Sequence, residues 1–187
     1  MPALATVADL AAFCGWAGSD AQARLAIDVA TGVVQRACAQ TLLPVVGDVV
    51  TLAGGQPTLI LPERPVTAVS GVAGYDSGAW RWDGRDMLML TAGAVWSATV
   101  TSHAWMVWPD TVTVTYSHGF TSIPADLKGV CLTVATRLLD NPSGVRAETV
   151  AGYSATYGDA AGISLTATER AVCNTYRRRT TALRVSA

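Results

Sequence analysis

The sequence predicts an α+β fold: a helical core of about four helices with a β-rich insertion between the second and third. Three observations predict it. Apolar residues recur at three-and-four spacing near both ends of the chain. Between them, the stretch from Val45 to Tyr116 is dense in Val, Thr and Trp and is broken by turn residues every few positions. Of the 187 residues, 50% are hydrophobic and 14% charged, which excludes a disordered chain and supplies enough apolar surface for a packed domain with an insertion. The boundaries fall at 1–44 for the amino-terminal helices, 45–118 for the β insertion and 119–187 for the carboxy-terminal helices, which carry an arm (145–158) and a basic tail.

Each element follows from a local signal. Thr6 and Asp9 stand as a capping box at the start of a short helix, which Gly15 to Gly18 ends. Ser19, with Gln22 as reciprocal cap, opens a longer helix to about Ala39. Its buried stripe is Ala26, Val29, Ala30, Val33 and Ala37, with Gly32 beside it to let another helix approach. After Pro44, the runs VVTL, TLIL, VTAV, MLML and TVTVTY read as strands, and AGGQP, YDSG and DGRD as turns. TVTVTY alternates plainly, with Val112, Val114 and Tyr116 on one face and Thr111, Thr113 and Thr115 on the other. Pro124 suits the first position of a third helix, whose face is Leu127, Val130, Cys131, Val134 and Leu138. NPSG ends it at residues 141–144. The polar and aromatic stretch 145–158 reads as a hairpin or an extended arm, with Tyr153 and Tyr157 as candidates for contact with a neighbouring subunit by strand addition. Thr166 and Glu169 form another capping box, opening a last helix over 166–180 that includes Tyr176 and three arginines.

Charge and cysteine usage narrow the class. The net charge is −1, divided as −2 over residues 1–60, −3 over 61–160 and +4 over 161–187. Lys128 is the sole lysine, so the basic groups are otherwise arginines, which suit interfaces and bidentate anion contacts. The end of the chain is therefore a basic segment on a mildly acidic body. It suits an acidic protein partner, a solvated helix end that complements the dipole, or nucleic acid. Mean hydropathy is +0.32, with no apolar run long enough to span a membrane, so the surplus apolar surface points to self-association. Cys14, Cys38, Cys131 and Cys173 lack the paired spacing of a zinc site and read as reduced, buried thiols. The start, MPALATVADLAAF, lacks the basic region of a secretory leader, which implies synthesis and retention in a cytosol-like compartment.

Catalytic patterns are weak. There is no nucleophile elbow and no phosphate-binding glycine loop, and His103 and His118 are the two histidines a base would need. A strand-end histidine such as His118 reads as a turn or surface residue. Asp83 and Asp86 flank a turn and read as turn chemistry. Trp80, Trp82, Trp96, Trp105 and Trp108 crowd into the insertion. They suit a sugar- or base-stacking platform, but with Arg81 and Arg85 as the main interleaved cations they fit a β core or a subunit interface better. A helix-turn-helix reading of residues 6–39 fails on charge, because Asp20 and Asp28 offset Arg24 and Arg36.

The order of these pieces resembles one family, the head-to-tail connector (adaptor or head-completion) proteins of tailed bacteriophages. The resemblance is carried by ATVADLAAF, RACAQT, LPERPVTAVSGV, VTVTYSHGFTSIPADLKGVCLTVATRLLDNPSGVRAETVAGYSATYG and LTATERAVCNTYRRR, which together span nearly all of the chain. It implies a structural virion protein of the neck, made in the host cytoplasm, that assembles as a homo-oligomeric ring of about twelve subunits. Such a ring docks beneath the portal protein, extends the channel through which genomic DNA passes without sequence-specific binding, and joins the capsid to a stopper or tail-completion protein. It implies no catalysis, metal, cofactor or membrane. The carboxy-terminal segment of such proteins docks on the portal, which carries over to Tyr176, Arg177, Arg178, Arg179 and Arg184. The rival readings are a monomeric β module that binds carbohydrate or peptide through the Trp cluster, and a DNA-binding protein using the first helix pair.

Overall fold

The computed structural model describes residues 2–91, 107–142, 147–150, 153–156 and 163–177. The fold is α+β, with four helices, two three-stranded antiparallel sheets and a two-stranded hairpin among those residues. The described residues divide into two compact units: those up to 40 with those from 122 to 177, and those from 41 to 121.

The first unit is helical: α1 (Val7–Cys14), α2 (Asp20–Cys38), α3 (Ala125–Asp140) and α4 (Ala167–Thr175). The Thr6 capping box forms as its spacing predicts, with the Thr6 hydroxyl accepting from the Asp9 backbone N–H and the Asp9 carboxylate accepting from the Thr6 N–H at 2.8 Å. These bonds from Thr6, with Lys128 3.2 Å away on α3, hold the Asp9 carboxyl below its ordinary range. Gly15 ends α1 in the left-handed conformation at φ 71°.

Three details of α2 depart from the sequence reading. Ser19 makes no side-chain cap bond. The buried stripe is Ala23, Ala26, Ile27, Ala30, Thr31, Val34 and Cys38, which leaves Val29 38% exposed. Gly32 faces open space, and a Cβ there would meet nothing. Side-chain size does not choose the face, since Leu25 stays 66% exposed while the smaller Val34 is buried. Thr31 is tolerated inside because its hydroxyl accepts from the Leu4 N–H at 3.1 Å and lies 3.7 Å from the Cys131 thiol.

On α3, Leu127, Val130, Cys131 and Val134 are buried as the spacing predicts, joined by Leu132 and Ala135, while Leu138 is half-buried. Pro124 sits one residue before the helix as its N-cap. The arm is a hairpin of β7 (Ala147–Val150) and β8 (Tyr153–Thr156), in register from Ala147 opposite Thr156 to Val150 opposite Tyr153.

The second unit is built from β1 (Val45–Ala53), β2 (Thr58–Ile60), β3 (Val66–Val72), β4 (Trp80–Trp82), β5 (Met87–Leu90) and β6 (Thr111–His118). One sheet has the order β1-β6-β3 and the other β2-β5-β4. Strand β6 alternates as its sequence predicts, burying Val112, Val114, Tyr116 and then His118. Val112, Val114 and Tyr116 join Val50, Leu52, Leu59, Leu61, Leu88 and Trp108 in one core, against which Trp80 and Trp82 pack from β4. Gly119 follows β6 at φ 97°, so close to the Leu43 carbonyl that a Cβ would collide with it.

Candidate functional site: a basic cleft beside the last helix

The last helix is held on one face and open on the other. Residues 169, 173 and 176 point inward. Thr166 caps the helix, its hydroxyl accepting from the Glu169 N–H while the Glu169 carboxylate accepts from the Thr166 N–H at 2.8 Å. The other Glu169 oxygen accepts from Arg137 on α3, whose second guanidinium nitrogen donates to the Ser164 carbonyl at 2.7 Å. Burial of Glu169 is therefore matched by charge-assisted hydrogen bonds from two donors, the Thr166 N–H and the Arg137 guanidinium, which also neutralises its charge.

Cys173 is fully buried beneath α4, next to Cys38 at the end of α2. Burial, reinforced by the neighbouring Cys173 sulfur, pushes the Cys38 thiol up to about 12. Burial likewise pushes Cys131 up to about 11 and raises Cys173. Such thiols are poor nucleophiles at neutral pH. Cys14 differs from the expectation of a buried thiol: it is exposed at the end of α1, where the helix runs out into the Gly15 turn.

Tyr176 ends the helix. Its hydroxyl is within hydrogen-bonding reach of both Asp126 oxygens, at 2.9 and 2.8 Å, and its carbonyl accepts from the Gln40 side-chain amide at 2.7 Å. Burial, then the hydrogen bond and charge of Asp126, raise the tyrosine's pKa. This anchoring stops α4 at Thr175, five residues short of the sequence boundary, and fixes the point from which the arginine run departs.

The open face repeats at the same helical spacing, through Arg170, Asn174 and Arg177. Together with Arg36 from the last turn of α2, these residues line a cleft of about 580 Å³ whose apolar portion is Val33, Ala37, Ile163 and Leu165. Arg36, Arg170 and Arg177 are all exposed, and among the described residues none of them forms an ion pair. The nearby Glu169 is already matched to Arg137. The cleft is thus a concentration of positive charge with an apolar lining.

Of the docking residues expected from the sequence, Tyr176 is an internal anchor and Arg177 lines the cleft; Arg178, Arg179 and Arg184 lie outside the described residues. Tyr153 falls in β8, and Tyr157 lies outside the described residues. Arg36 and Arg170 were not singled out by sequence. The Arg170–Asn174–Arg177 period is visible in the sequence, but Arg36 joins it through the non-local packing of α2 on α4.

The other constellations resolve into structure. His118 is 3% exposed rather than on the surface, 3.3 Å from Asp48 and tilted against the Tyr116 ring at 5.1 Å. It is drawn inside because it continues the buried alternation of β6. Against an upward push from burial, N–H groups of Met87 and Arg85 hold the Asp83 carboxyl low, and Asp86 pairs with Arg64 at 3.1 Å. Trp108 is 1% exposed, with Tyr75 edge-on to it at 5.3 Å. Trp80, Trp82 and Trp108 belong to the β core, as the core reading of the tryptophans expects; Trp96, Trp105 and His103 lie outside the described residues. Among the described residues no group of three His, Cys, Asp or Glu could hold a metal ion, and no helix is long and apolar enough to cross a membrane. No known protein-family model matches the chain, and no curated protein matches it.

Proposed function

We propose that this chain is a structural subunit of a tailed-phage neck, forming a head-to-tail adaptor ring of about twelve copies that docks beneath a portal through its basic carboxy-terminal end. The observation that carries the reading is the anchored end of α4. Tyr176 is tied to Asp126 and Gln40, so the arginine run begins from an anchored point on the helical unit, beside further arginines that pair with no described carboxylate. That arrangement suits charge-assisted bonding to carboxylate and carbonyl groups of a partner protein. The sequence resemblance supplies the partner: a portal above, a stopper or tail-completion protein below, and DNA passing through without being gripped. A net charge of −1 suits such a conduit, since phosphate contacts drive non-specific DNA binding.

Self-association has its own support. Leu25 is 66% exposed one helical turn from Val29, and both line an apolar groove with Trp16, Leu138, Leu139 and Pro142. Apolar surface of this kind marks contact sites. The test is docking of a triple variant, Arg177→Glu with Arg178→Glu and Arg179→Glu, on the isolated portal ring. The variant keeps the wild-type circular dichroism and loses co-sedimentation with the portal. A variant that docks as well as wild type removes the basic end from the mechanism.

A further inference from the structure

We propose that the α2–α4 cleft is a receptor for an acidic protein segment bearing an apolar side chain, with Arg36 and Arg170 as its anchors. This deepens the docking reading above and rests on it for the identity of the partner, though not for the chemistry of the site. Arg36 is contributed by α2, more than a hundred residues away in sequence, so the cleft is a tertiary feature rather than a property of a basic tail.

The chemistry of the occupant follows from the lining. Arg36, Arg170 and Arg177 bring three full positive charges to a cleft of about 580 Å³, and no described carboxylate pairs with them. The C-terminal dipole of α2 offsets only part of one charge. Guanidinium groups bind carboxylates bidentately and with defined geometry, which favours glutamate or aspartate. Asn174 adds an amide able to donate to, or accept from, a peptide backbone. The apolar lining includes Ile163, 55% exposed, together with Val33 and Leu165. That lining gains little from a sugar–phosphate strand and more from a leucine or similar side chain. A duplex is recognised by extended rows of cations on a convex or groove-filling element, whereas this is a concave site on a chain that is acidic overall.

The test uses the full chain and a fluorescein-labelled peptide, Glu-Glu-Leu-Glu-Glu-Leu, followed by fluorescence anisotropy. Controls replace the leucines by glycine or the glutamates by lysine, and compete with inorganic phosphate or a random-sequence DNA duplex. The acidic peptide binds, binding falls with salt, and loss of the leucines weakens it. Arg36→Glu with Arg170→Glu weakens it by at least about tenfold, because like charges then face each other across the contact. Arg36→Lys with Arg170→Lys retains intermediate affinity, because the charge is kept and the planar bidentate fork is lost. Both cleft residues are exposed, and circular dichroism checks that the reversals keep the fold.

Absent binding of the acidic peptide, binding insensitive to Arg36→Glu with Arg170→Glu, or preferential binding of the DNA duplex each overturns the proposal. Failure of the adaptor reading looks different. Peptide binding through Arg36 without any portal complex keeps the cleft and discards the portal, whereas a portal complex indifferent to Arg36→Glu keeps the adaptor and discards the cleft.

Discussion

The Tyr176 hydroxyl bonds to the Asp126 carboxylate across the helical unit, at 2.9 and 2.8 Å from its two oxygens, joining the end of α4 to the start of α3. The bond lies where the sequence predicts a continuing basic helix, and it engages the hydroxyl of a residue that the family resemblance assigns to partner contact. Tyr176→Phe keeps the ring and removes the bond. A hydrogen bond to a charged group contributes about 1.5–3 kcal/mol when well shielded, and this one is partly open to water, so a loss of about 1 kcal/mol is expected. Urea unfolding measures it, and an unchanged midpoint would show the bond contributes nothing in solution.

Glu169 is the more costly residue to lose. Its carboxylate caps α4 and neutralises Arg137 in a site where Glu169 is 8% exposed. Removing one partner of a buried pair leaves the other uncompensated, so Glu169→Ala is expected to destabilise the protein by about 3 kcal/mol. Arg137→Ala also leaves a buried charge, but one that retains its Thr166 N–H donor, and should cost less. Denaturant unfolding of both variants gives the order, and a larger loss for Arg137→Ala contradicts the capping role.

Thiol chemistry separates the four cysteines. Cys14 is exposed, while Cys38, Cys131 and Cys173 are buried. In the native protein a disulfide-exchange reagent should titrate one thiol rapidly and the other three only on unfolding. Rapid reaction at Cys38 or Cys173 would show that α4 opens readily.

The same thiols set a pH dependence. The folded pKa of Cys38 is raised from 9.0 to about 12 and that of Cys131 to about 11, so the folded state holds these protons more tightly than the unfolded chain. Their contribution is fully present below about pH 9 and is lost as pH rises through that interval. Thermal melts from pH 8 to 11 should show falling stability. Cys38→Ala should melt lower at neutral pH but lose less on going alkaline, and an identical slope would exclude Cys38 as a source.

Gly119 links the motif SHGF to packing. Its positive φ and the Leu43 carbonyl against its Cα leave no room for a side chain. Gly119→Ala is expected to destabilise the β unit by more than about 1 kcal/mol, from strain and collision together. A neutral result in thermal unfolding would mean that the loop relaxes freely around the new methyl group.

What was legible in the sequence follows the strength of each physical signal. The alternation of Val112, Val114 and Tyr116 and the two Thr capping boxes are local patterns whose cause lies within a few residues, and they appear where expected. On α2, alanines and large apolar residues on more than one face leave the stripe ambiguous to a local pattern: Ile27 and Val34 are buried while Leu25 and Val29 stay exposed. His118 reads as a surface residue on its polarity, yet its place in the period-two pattern of β6 carries it inside. The end of α4 and the Arg36 contribution to the cleft depend on contacts between residues 36–40 and 126–177, which no local window contains.

The most direct test of the adaptor account is native mass spectrometry of the chain mixed with an isolated phage portal ring. The account predicts one cooperative gain of about twelve subunits of 19.4 kDa, lost when the residues after Tyr176 are removed. A chain that stays monomeric beside an unaltered portal ring contradicts it.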